Sequence, residues 1–238
     1  MAFSYSPKIV TDGLVFAVDA ANKKSYPGSG TTWTDLAGNN NGTLTNGPTF
    51  DSGNGGSIVF DGSDDYVGTN FNVDFTTADF TLDAWVYPTF DSTQYGRPII
   101  TMNGNGGCST YDFALEYGRS GQSATNKFGL ITGGGPGTPN LHSNTHNKEN
   151  WYHVMVTREQ NNASSYTYAM YVNSTQENTI TGNYYGGDGG ILTIGKFLDC
   201  GAVNEWLGNI AQIKIYTRAL SPTEITQNYN ALKSRFGL

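Results

Sequence analysis

Short runs of alternating apolar and polar residues recur along the chain, and glycine-rich turns separate them. In the run FTLDAWVYP (80–88), Phe, Leu, Ala and Val fall on one face of an extended chain. The other face carries Thr81, Asp83, Trp85 and Tyr87. This period of two is typical of β-strands. Similar strand-like runs occupy 13–20, 57–62, 97–102, 111–118, 127–132, 151–159, 166–173, 191–197 and 209–217.

The order of these runs predicts the fold class. No strand-like run is followed by a helical pattern of about 10–15 residues, which excludes parallel βαβ units. The turn formers between the runs, such as NNNG, NGNGG and GGGPG, suit tight connections. We therefore predict an all-β, two-sheet antiparallel sandwich that forms one domain over residues 1–238. Trp85 and Trp206 should be buried in it, since both lie within or beside strand-like runs.

The stretch SPTEITQNYNALKSRF (221–236) is the one helical pattern near the end of the chain. Ser221 suits the N-cap, Pro222 suits the first helical position, and Glu224 completes a capping box. The apolar residues of this stretch form a single stripe on a helix, at Ile225, Tyr229, Leu232 and Phe236. We predict a helix over about 221–236 that packs on the sandwich or on a neighbouring subunit.

Composition and charge narrow the function classes. The chain has 31 glycines, 13% aromatic residues and only 14% charged residues, which suits many short strands around a wide core. The net charge is −7 with 13 Lys and Arg and no basic run, which argues against nucleic acid as a partner. No apolar run approaches about 18 residues, so no membrane insertion is expected. The start, MAFSYSPKIV, lacks a signal-peptide pattern, so we expect synthesis in the cytoplasm.

Three carboxylates lie close together in GSIVFDGSDDYV, at Asp61, Asp64 and Asp65. Such a cluster can hold a cation, form a catalytic pair, or lie in a turn, because like charges need screening. Asp61 and Gly62 stand between two strand-like runs, which favours a hairpin turn. In that interpretation the following Asp pair begins the return strand in water. No EF-hand pattern supports a cation here.

A series of motifs resembles one family over nearly the whole chain. VFDGSDDYV, FTLDAWVYP, WYHVMVTRE, YVNSTQ, LTIGKF and WLGNIAQIKIYTRALSPTEI follow in the order found in laminin-G-like, concanavalin A-like jelly rolls. The opening GLVFAVDAANKKSYPGSGTTWTDLAGNNNGTLTNGP further resembles a variant common in bacteriophage virion proteins. The resemblance implies a jelly-roll sandwich with one C-terminal helix. It also implies a protein of the virion surface, released from the host cytoplasm without a signal peptide.

The resemblance also implies a metal site and marks one departure. Laminin-G domains often bind Ca²⁺ at one rim, and the matching positions here are Asp112 and Asp188. Their usual C-terminal disulfide is missing, because Asn209 stands where a Cys follows the Gly of the WLGNI-like segment. Cys108 and Cys200 are the only cysteines, and a cytosolic start favours free thiols. If Asp112 and Asp188 share a cation, the runs 111–118 and 191–197 begin at one rim.

No catalytic constellation stands out in the sequence. Asp112 and Glu116 share one face of a strand but lie about 13 Å apart by strand rise, which is too far for glycoside hydrolysis. His142 and His146 have a spacing of four, but Pro139 and the polar surroundings favour a solvated loop over a zinc site. We therefore predict that the protein is not an enzyme.

Aromatic residues in predicted loops are the better candidates for binding. Tyr26, Trp33, Tyr95, Tyr184 and Tyr185 are such residues, and exposed rings beside amides are what sugar recognition uses. Packing of these rings onto the sandwich is the alternative for each of them.

The sequence therefore predicts a non-enzymatic bacteriophage virion protein, either a capsid decoration or a tail-associated protein. Other virion proteins and cell-surface glycans are its expected partners, and virion symmetry favours a closed homo-oligomer such as a trimer. A free-standing lectin is the alternative function, and a glycan-active enzyme is a weaker one.

Overall fold

A computed structural model describes residues 7–75, 78–91, 96–104, 111–119, 125–132, 140–182, 190–197 and 205–238. The strands of these residues are β1 (Leu14–Asp19), β2 (Thr32–Trp33), β3 (Gly42–Thr45), β4 (Thr49–Asp51), β5 (Ser57–Asp61), β6 (Tyr66–Gly68), β7 (Phe80–Pro88), β8 (Arg97–Gly104), β9 (Tyr111–Tyr117), β10 (Lys127–Ile131), β11 (Asn140–Thr145), β12 (Tyr152–Asn162), β13 (Ser165–Val172), β14 (Thr175–Gly182), β15 (Gly190–Ile194) and β16 (Leu207–Tyr216). One α-helix, α1 (Pro222–Leu232), follows them, and 3-10 turns occupy Gly53–Gly55 and Lys233–Phe236.

The strands form two antiparallel sheets. Sheet A has the order β14-β13-β12-β7-β16-β5-β4, and β1 also pairs with β16. Sheet B has the order β11-β10-β9-β8-β15-β6-β3-β2. Every strand pairing is antiparallel, so the predicted two-sheet antiparallel fold class is confirmed. Nothing tests the expectation of one domain over 1–238, which stays a prediction.

The core lies between the sheets and is built from the apolar face of each strand. In β7 it takes Phe80, Leu82, Ala84 and Val86, which is the face that the alternating pattern predicts. Aromatic rings fill its width, with ring centroids such as those of Phe80 and Phe113 only 5.5 Å apart. Trp206 is fully buried in this core, as predicted.

The turn after β5 connects the two sheets instead of forming a hairpin. β5 pairs with β16 and β4 in sheet A, whereas β6 pairs with β15 and β3 in sheet B. The expected hairpin at Asp61–Gly62 is therefore wrong. A turn residue such as Gly62, which has φ of +76°, suits a reversal of the chain but does not decide which sheet the next strand joins.

The C-terminal helix covers the middle of the outer face of sheet A. Ser221 caps it as predicted: its hydroxyl accepts the Glu224 N–H, and the Glu224 carboxylate accepts the Ser221 N–H at 2.9 Å. The α-helix ends at Leu232, and the rest of the predicted stretch is a 3-10 turn ending at Phe236. The Phe236 ring stacks on Trp85 with centroids 4.1 Å apart, and Trp85 is fully buried as predicted.

A buried polar network joins α1 to sheet A beneath this helix. Asp83 accepts hydrogen bonds from the Lys214 ammonium at 3.1 Å and from the Asn228 amide at 3.0 Å, and its other oxygen lies 3.1 Å from His153 Nε2. All four side chains are fully buried. The carbonyl oxygen of the Asn228 side chain also accepts the N–H of Val10, so the segment before β1 is tied to the same network. In the part of the chain described, no helix is long and apolar enough to cross a membrane.

Candidate functional site

A groove of about 590 Å³ lies on the part of sheet A that α1 leaves uncovered. Its floor is the outer face of β12, β13 and β14, and its wall is the segment 218–222 with Glu224 at the start of α1. The floor positions face one another in register: Thr157 pairs with Ala169, which pairs with Thr179, and Glu159 pairs with Thr167. This volume is in the range of small-molecule binding clefts.

Period-two alternation is what places polar side chains on this floor. In β13 the residues Tyr166, Tyr168, Met170 and Val172 belong to the inner core, so the alternate positions Thr167, Ala169 and Tyr171 must point outward. Small and hydroxyl-bearing side chains at these positions leave room above the sheet. A larger apolar side chain there would have filled the groove.

The hydrogen bonds of the floor leave some polar groups uncommitted. The Tyr171 hydroxyl donates to Gln176 Oε1 at 2.9 Å, and the Thr179 hydroxyl donates to the Tyr168 carbonyl at 3.0 Å. Within the described ranges, no hydrogen bond or ion pair occupies the Glu159 carboxylate or the Thr157 hydroxyl. Glu159 is also exposed, so it is available to a ligand.

The wall of the groove carries a closed set of charges. Arg218 donates to both oxygens of Glu224, at 2.9 and 2.7 Å, and its Nε lies 2.9 Å from the Asp12 carboxylate. The hydrogen bonds from Arg218 and from the Ser221 backbone hold the pKa of Glu224 at about 2. The same pairing raises the pKa of Arg218. This guanidinium is therefore already neutralised by side chains of the protein.

Sheet B carries a second polar group on its outer face. Glu116, Gly129 and His142 stand opposite one another on β9, β10 and β11. The Nε atom and one terminal nitrogen of Arg119 donate hydrogen bonds to the two oxygens of the buried Glu116 carboxylate, at 2.5 and 2.7 Å. Burial nevertheless raises the pKa of Glu116 and lowers that of His142. The Nδ1 atom of His142 is buried without a hydrogen bond in the structure as described.

The acidic cluster of the sequence is a turn with one buried carboxylate. Ligand atoms of Asp61, Asp64 and Asp65 lie within 4.8 Å of one another. Asp65 accepts the Asp61 N–H at 3.0 Å, and Asp61 accepts the Ser63 N–H at 2.8 Å, so two of the three stabilise the turn itself. Asp65 is buried rather than solvated, and burial raises its pKa. The expectation that the whole Asp pair lies in water is therefore wrong for Asp65.

Most of the predicted ligand-binding residues lie outside the described part of the chain. These are Tyr95, Tyr184 and Tyr185. Trp33 is described and is fully buried in the core between the sheets, so the expectation of an exposed loop ring is wrong. Tyr26 is buried as well and packs against Phe50 with ring centroids 5.4 Å apart. The sequence pattern placed Tyr26 and Trp33 near turns, but the direction of their rings depends on the packing of the folded chain.

Only part of the predicted calcium site lies within the described residues. Asp188 and the side chain of Asp112 lie outside the described residues, as do Cys108 and Cys200. The strands beside the two aspartates are described. Tyr111 at the start of β9 pairs with Asn103, and Gly190 at the start of β15 pairs with Gly104. The two strands therefore begin at one rim, which a cation shared by Asp112 and Asp188 would require, and the cation itself stays a prediction.

His142 and His146 point to different parts of the molecule. His142 lies on a strand, not in the expected loop, and faces outward beside Gly129. His146 packs near Phe128 and Tyr152 and lies 3.0 Å from the Glu177 carboxylate. The expectation of a solvated loop is therefore wrong for His142, which lies on a strand, and for His146, which is partly buried beside Glu177.

Comparisons with known proteins agree with the fold. Residues 61–226 match the family model described as the concanavalin A-like lectin/glucanases superfamily. No curated protein sequence matches the chain. Among solved structures, a Trypanosoma rangeli sialidase complex has a TM-score of 0.67 at 18% identity, covering 94% of this chain and 33% of the sialidase. The chain therefore spans only a third of that enzyme.

Two binding domains of larger proteins resemble this chain about as closely as the sialidase does. The binding domain of Paraclostridial Mosquitocidal Protein 1 has a TM-score of 0.65 at 15% identity, covering 93% of this chain and 52% of that one. The receptor-binding domain of botulinum neurotoxin type G has a TM-score of 0.63 at 12% identity, covering 92% and 51%. At these identities the similarity shows a shared fold.

Proposed function

The chain belongs to the concanavalin A-like lectin/glucanase superfamily, and on that premise we propose that it is a non-enzymatic binding protein of a bacteriophage virion. It lies on the particle surface, as a capsid decoration or a tail-associated protein, and binds cell-surface glycans. The observation that carries the binding function is the open groove on sheet A, which has uncommitted polar groups on a rigid floor. The phage assignment rests on the resemblance of residues 13–48 to the virion variant of the domain.

Comparison with binding domains supports a recognition role. Two structures of similar fold are named as toxin binding domains, one of them receptor-binding. The sialidase covers the present chain with only a third of its length, so its activity is not carried over to this protein.

The two most deeply buried carboxylates, Asp83 and Glu116, are poorly placed for glycoside hydrolysis. Glycoside hydrolysis uses two carboxyl groups about 5–10 Å apart. Asp83 and Glu116 lie on the outer faces of opposite sheets, and sheets pack about 10 Å apart, so these two carboxylates are too far apart to cooperate. Each is also held by a cation of the protein.

Labelling of purified particles tests the virion role. An antibody against this chain should decorate intact particles in electron micrographs, and mass spectrometry of the same particles should detect the chain. The proposal would be contradicted if the purified protein cleaved host polysaccharide, or if purified particles lacked the protein.

Calcium at Asp112 and Asp188 is part of the proposal and has its own test. A ligand that binds only the folded state stabilises it by about 2.7 kcal/mol when present at 100 times its Kd. Calcium should therefore raise the melting temperature relative to a chelator, and the raise should disappear in Asp112→Asn and Asp188→Asn. An identical melting temperature with calcium and with chelator would remove calcium from the proposal.

A further inference from the structure

The groove on sheet A has an excess of negative charge. Its lining contains two carboxylates, Glu159 and Glu224, and one guanidinium, Arg218. Arg218 is already bound by both oxygens of Glu224 and by Asp12. An anionic ligand would therefore find no free cation among the lining residues, and it would approach the exposed Glu159.

The same groups are well suited to an uncharged ligand that carries hydroxyls. A carboxylate accepts hydrogen bonds from hydroxyl groups, and such charge-assisted bonds are stronger than neutral ones. Thr157 adds a hydroxyl that can donate or accept, and the groove floor is flat because Ala169 and threonines form its centre. A saccharide presents a similarly flat ring with several hydroxyls at its edge.

We propose that this groove binds neutral glycan segments and rejects glycans that end in a carboxylated sugar, such as a sialic acid or a uronic acid. The inference rests on the proposed glycan-binding function and adds the ligand class and the site. Glu159 is the residue that determines this specificity: it accepts hydrogen bonds from ligand hydroxyls and repels a ligand carboxylate.

The test is a glycan array with matched pairs, in which each neutral hexose or N-acetylhexosamine oligosaccharide has a counterpart extended by one sialic or glucuronic acid. At low ionic strength the wild-type protein should retain the neutral member of a pair about fivefold more strongly, since two like charges about 4 Å apart repel by about 1 kcal/mol in water. In Glu159→Gln the ratio should approach one, because the repulsive charge is gone and the shape is kept.

Two further variants make the result specific. Glu149→Gln removes one negative charge in the segment before β12, at the opposite end of that strand from Glu159. The glycan preference of the Glu149→Gln variant should therefore match that of the wild type. Thr179→Leu fills the groove at an exposed strand position with an apolar side chain that offers a sugar neither a hydrogen bond nor a ring face, so it should abolish retention. Unchanged melting temperatures establish that each variant is folded.

The outcomes separate the inference from the function on which it rests. If no glycan of either class is retained, both are overturned. If acidic glycans are retained as strongly as neutral ones, the inference is overturned while glycan binding stands. Neutral retention that survives Thr179→Leu would place binding outside the groove and would likewise overturn the inference alone.

Discussion

Asp83 and Glu116 are both fully buried carboxylates on outer faces of the sandwich, yet their pKa values move in opposite directions. For Asp83, burial alone would raise the pKa, but the charges of Lys214 and His153 and their hydrogen bonds outweigh it and hold the pKa well below its usual value. For Glu116, burial outweighs the single pairing with Arg119, and the pKa is raised.

The number and burial of the partners explain this difference. Asp83 has three partners, Lys214, His153 and Asn228, and all are fully buried. Glu116 has one described cation, Arg119, whose side chain is 18% exposed, so water screens part of its charge. Burial of a carboxylate therefore does not by itself indicate a functional group. The Asp83 network attaches α1 to sheet A, whereas Arg119 is the one side chain among the described residues that holds the Glu116 carboxylate.

Asp83→Asn should have the largest effect on stability. The substitution keeps the shape but leaves the buried Lys214 ammonium without a counter-charge, which typically costs about 3–5 kcal/mol. The free energy of unfolding, measured by denaturant titration at pH 7, should fall by that amount. A loss below about 1 kcal/mol would mean that the network contributes little to the attachment of α1.

The pH dependence of this variant sharpens the prediction. A carboxyl whose pKa is lowered by folding contributes stability above its unfolded pKa, near 3.8 for Asp83, and that contribution is lost as the pH falls toward the folded pKa. The gap between wild type and Asp83→Asn should therefore narrow below about pH 4. If the difference in unfolding free energy between wild type and Asp83→Asn widened in acid, the lowered pKa of Asp83 would be wrong.

Gly96→Ala should have the next largest effect. A Cβ atom at Gly96 would overlap the carboxylate atoms of Glu116, so the carboxylate must move from its place beside Arg119. Overpacking of this kind costs about 1–3 kcal/mol. Gly68→Ala is the matched control, because the nearest contact there is an ordinary 3.5 Å.

A double-mutant cycle checks the cause. If the clash with Glu116 is the reason, Glu116→Ala should recover part of the loss caused by Gly96→Ala. Fully additive effects of the two substitutions would refute this explanation.

Ser221→Ala should have a moderate effect, because it removes the hydroxyl that caps α1. Loss of such a cap costs about 1 kcal/mol, and thermal unfolding should detect it. Thr223→Ala, at an exposed position in the first turn, is the control. Because folding lowers the pKa of Glu224 to about 2, the contribution of the capping box should decline as the pH falls from about 4.5 toward 2. A pH-independent difference between wild type and Glu224→Gln would argue against a role of the ionised Glu224.

Glu116→Gln should have the smallest effect and the opposite sign of pH dependence. Folding raises the pKa of Glu116, so wild type loses stability as the pH rises from about 4.5 through the folded pKa. The variant lacks this loss. At pH 7 we expect a change within about 1 kcal/mol, neutral or stabilising, since the Arg119 left behind is partly exposed to solvent. A destabilisation as large as that of Asp83→Asn would erase the distinction between the two carboxylates.

Local patterns predicted much of the fold and little of the site. Alternation in the run 80–88 assigned the inner face of β7 correctly, because the period of a strand follows from backbone geometry alone. The outward positions of β13, Thr167, Ala169 and Tyr171, were readable by the same rule. The sequence did not show that these positions form a groove, because the groove depends on where α1 stops covering the sheet.

Local patterns in the sequence predicted the strands of the apolar and alternating runs, the capped helix that begins at Pro222, the burial of Trp85 and Trp206, and the antiparallel sandwich. They did not predict short strands such as β2 and β4 or the polar strands β11 and β14. The contacts between distant segments depend on how the sheets pack and cannot be read from local patterns. The turn at Asp61–Gly62 joins two sheets because β5 finds its partner in β16, about 150 residues later, and the turn residues carry no information about that pairing. The burial of Trp33 and the neutralisation of Asp83 by Lys214 have the same origin, since both depend on residues brought together only when the sheets pack.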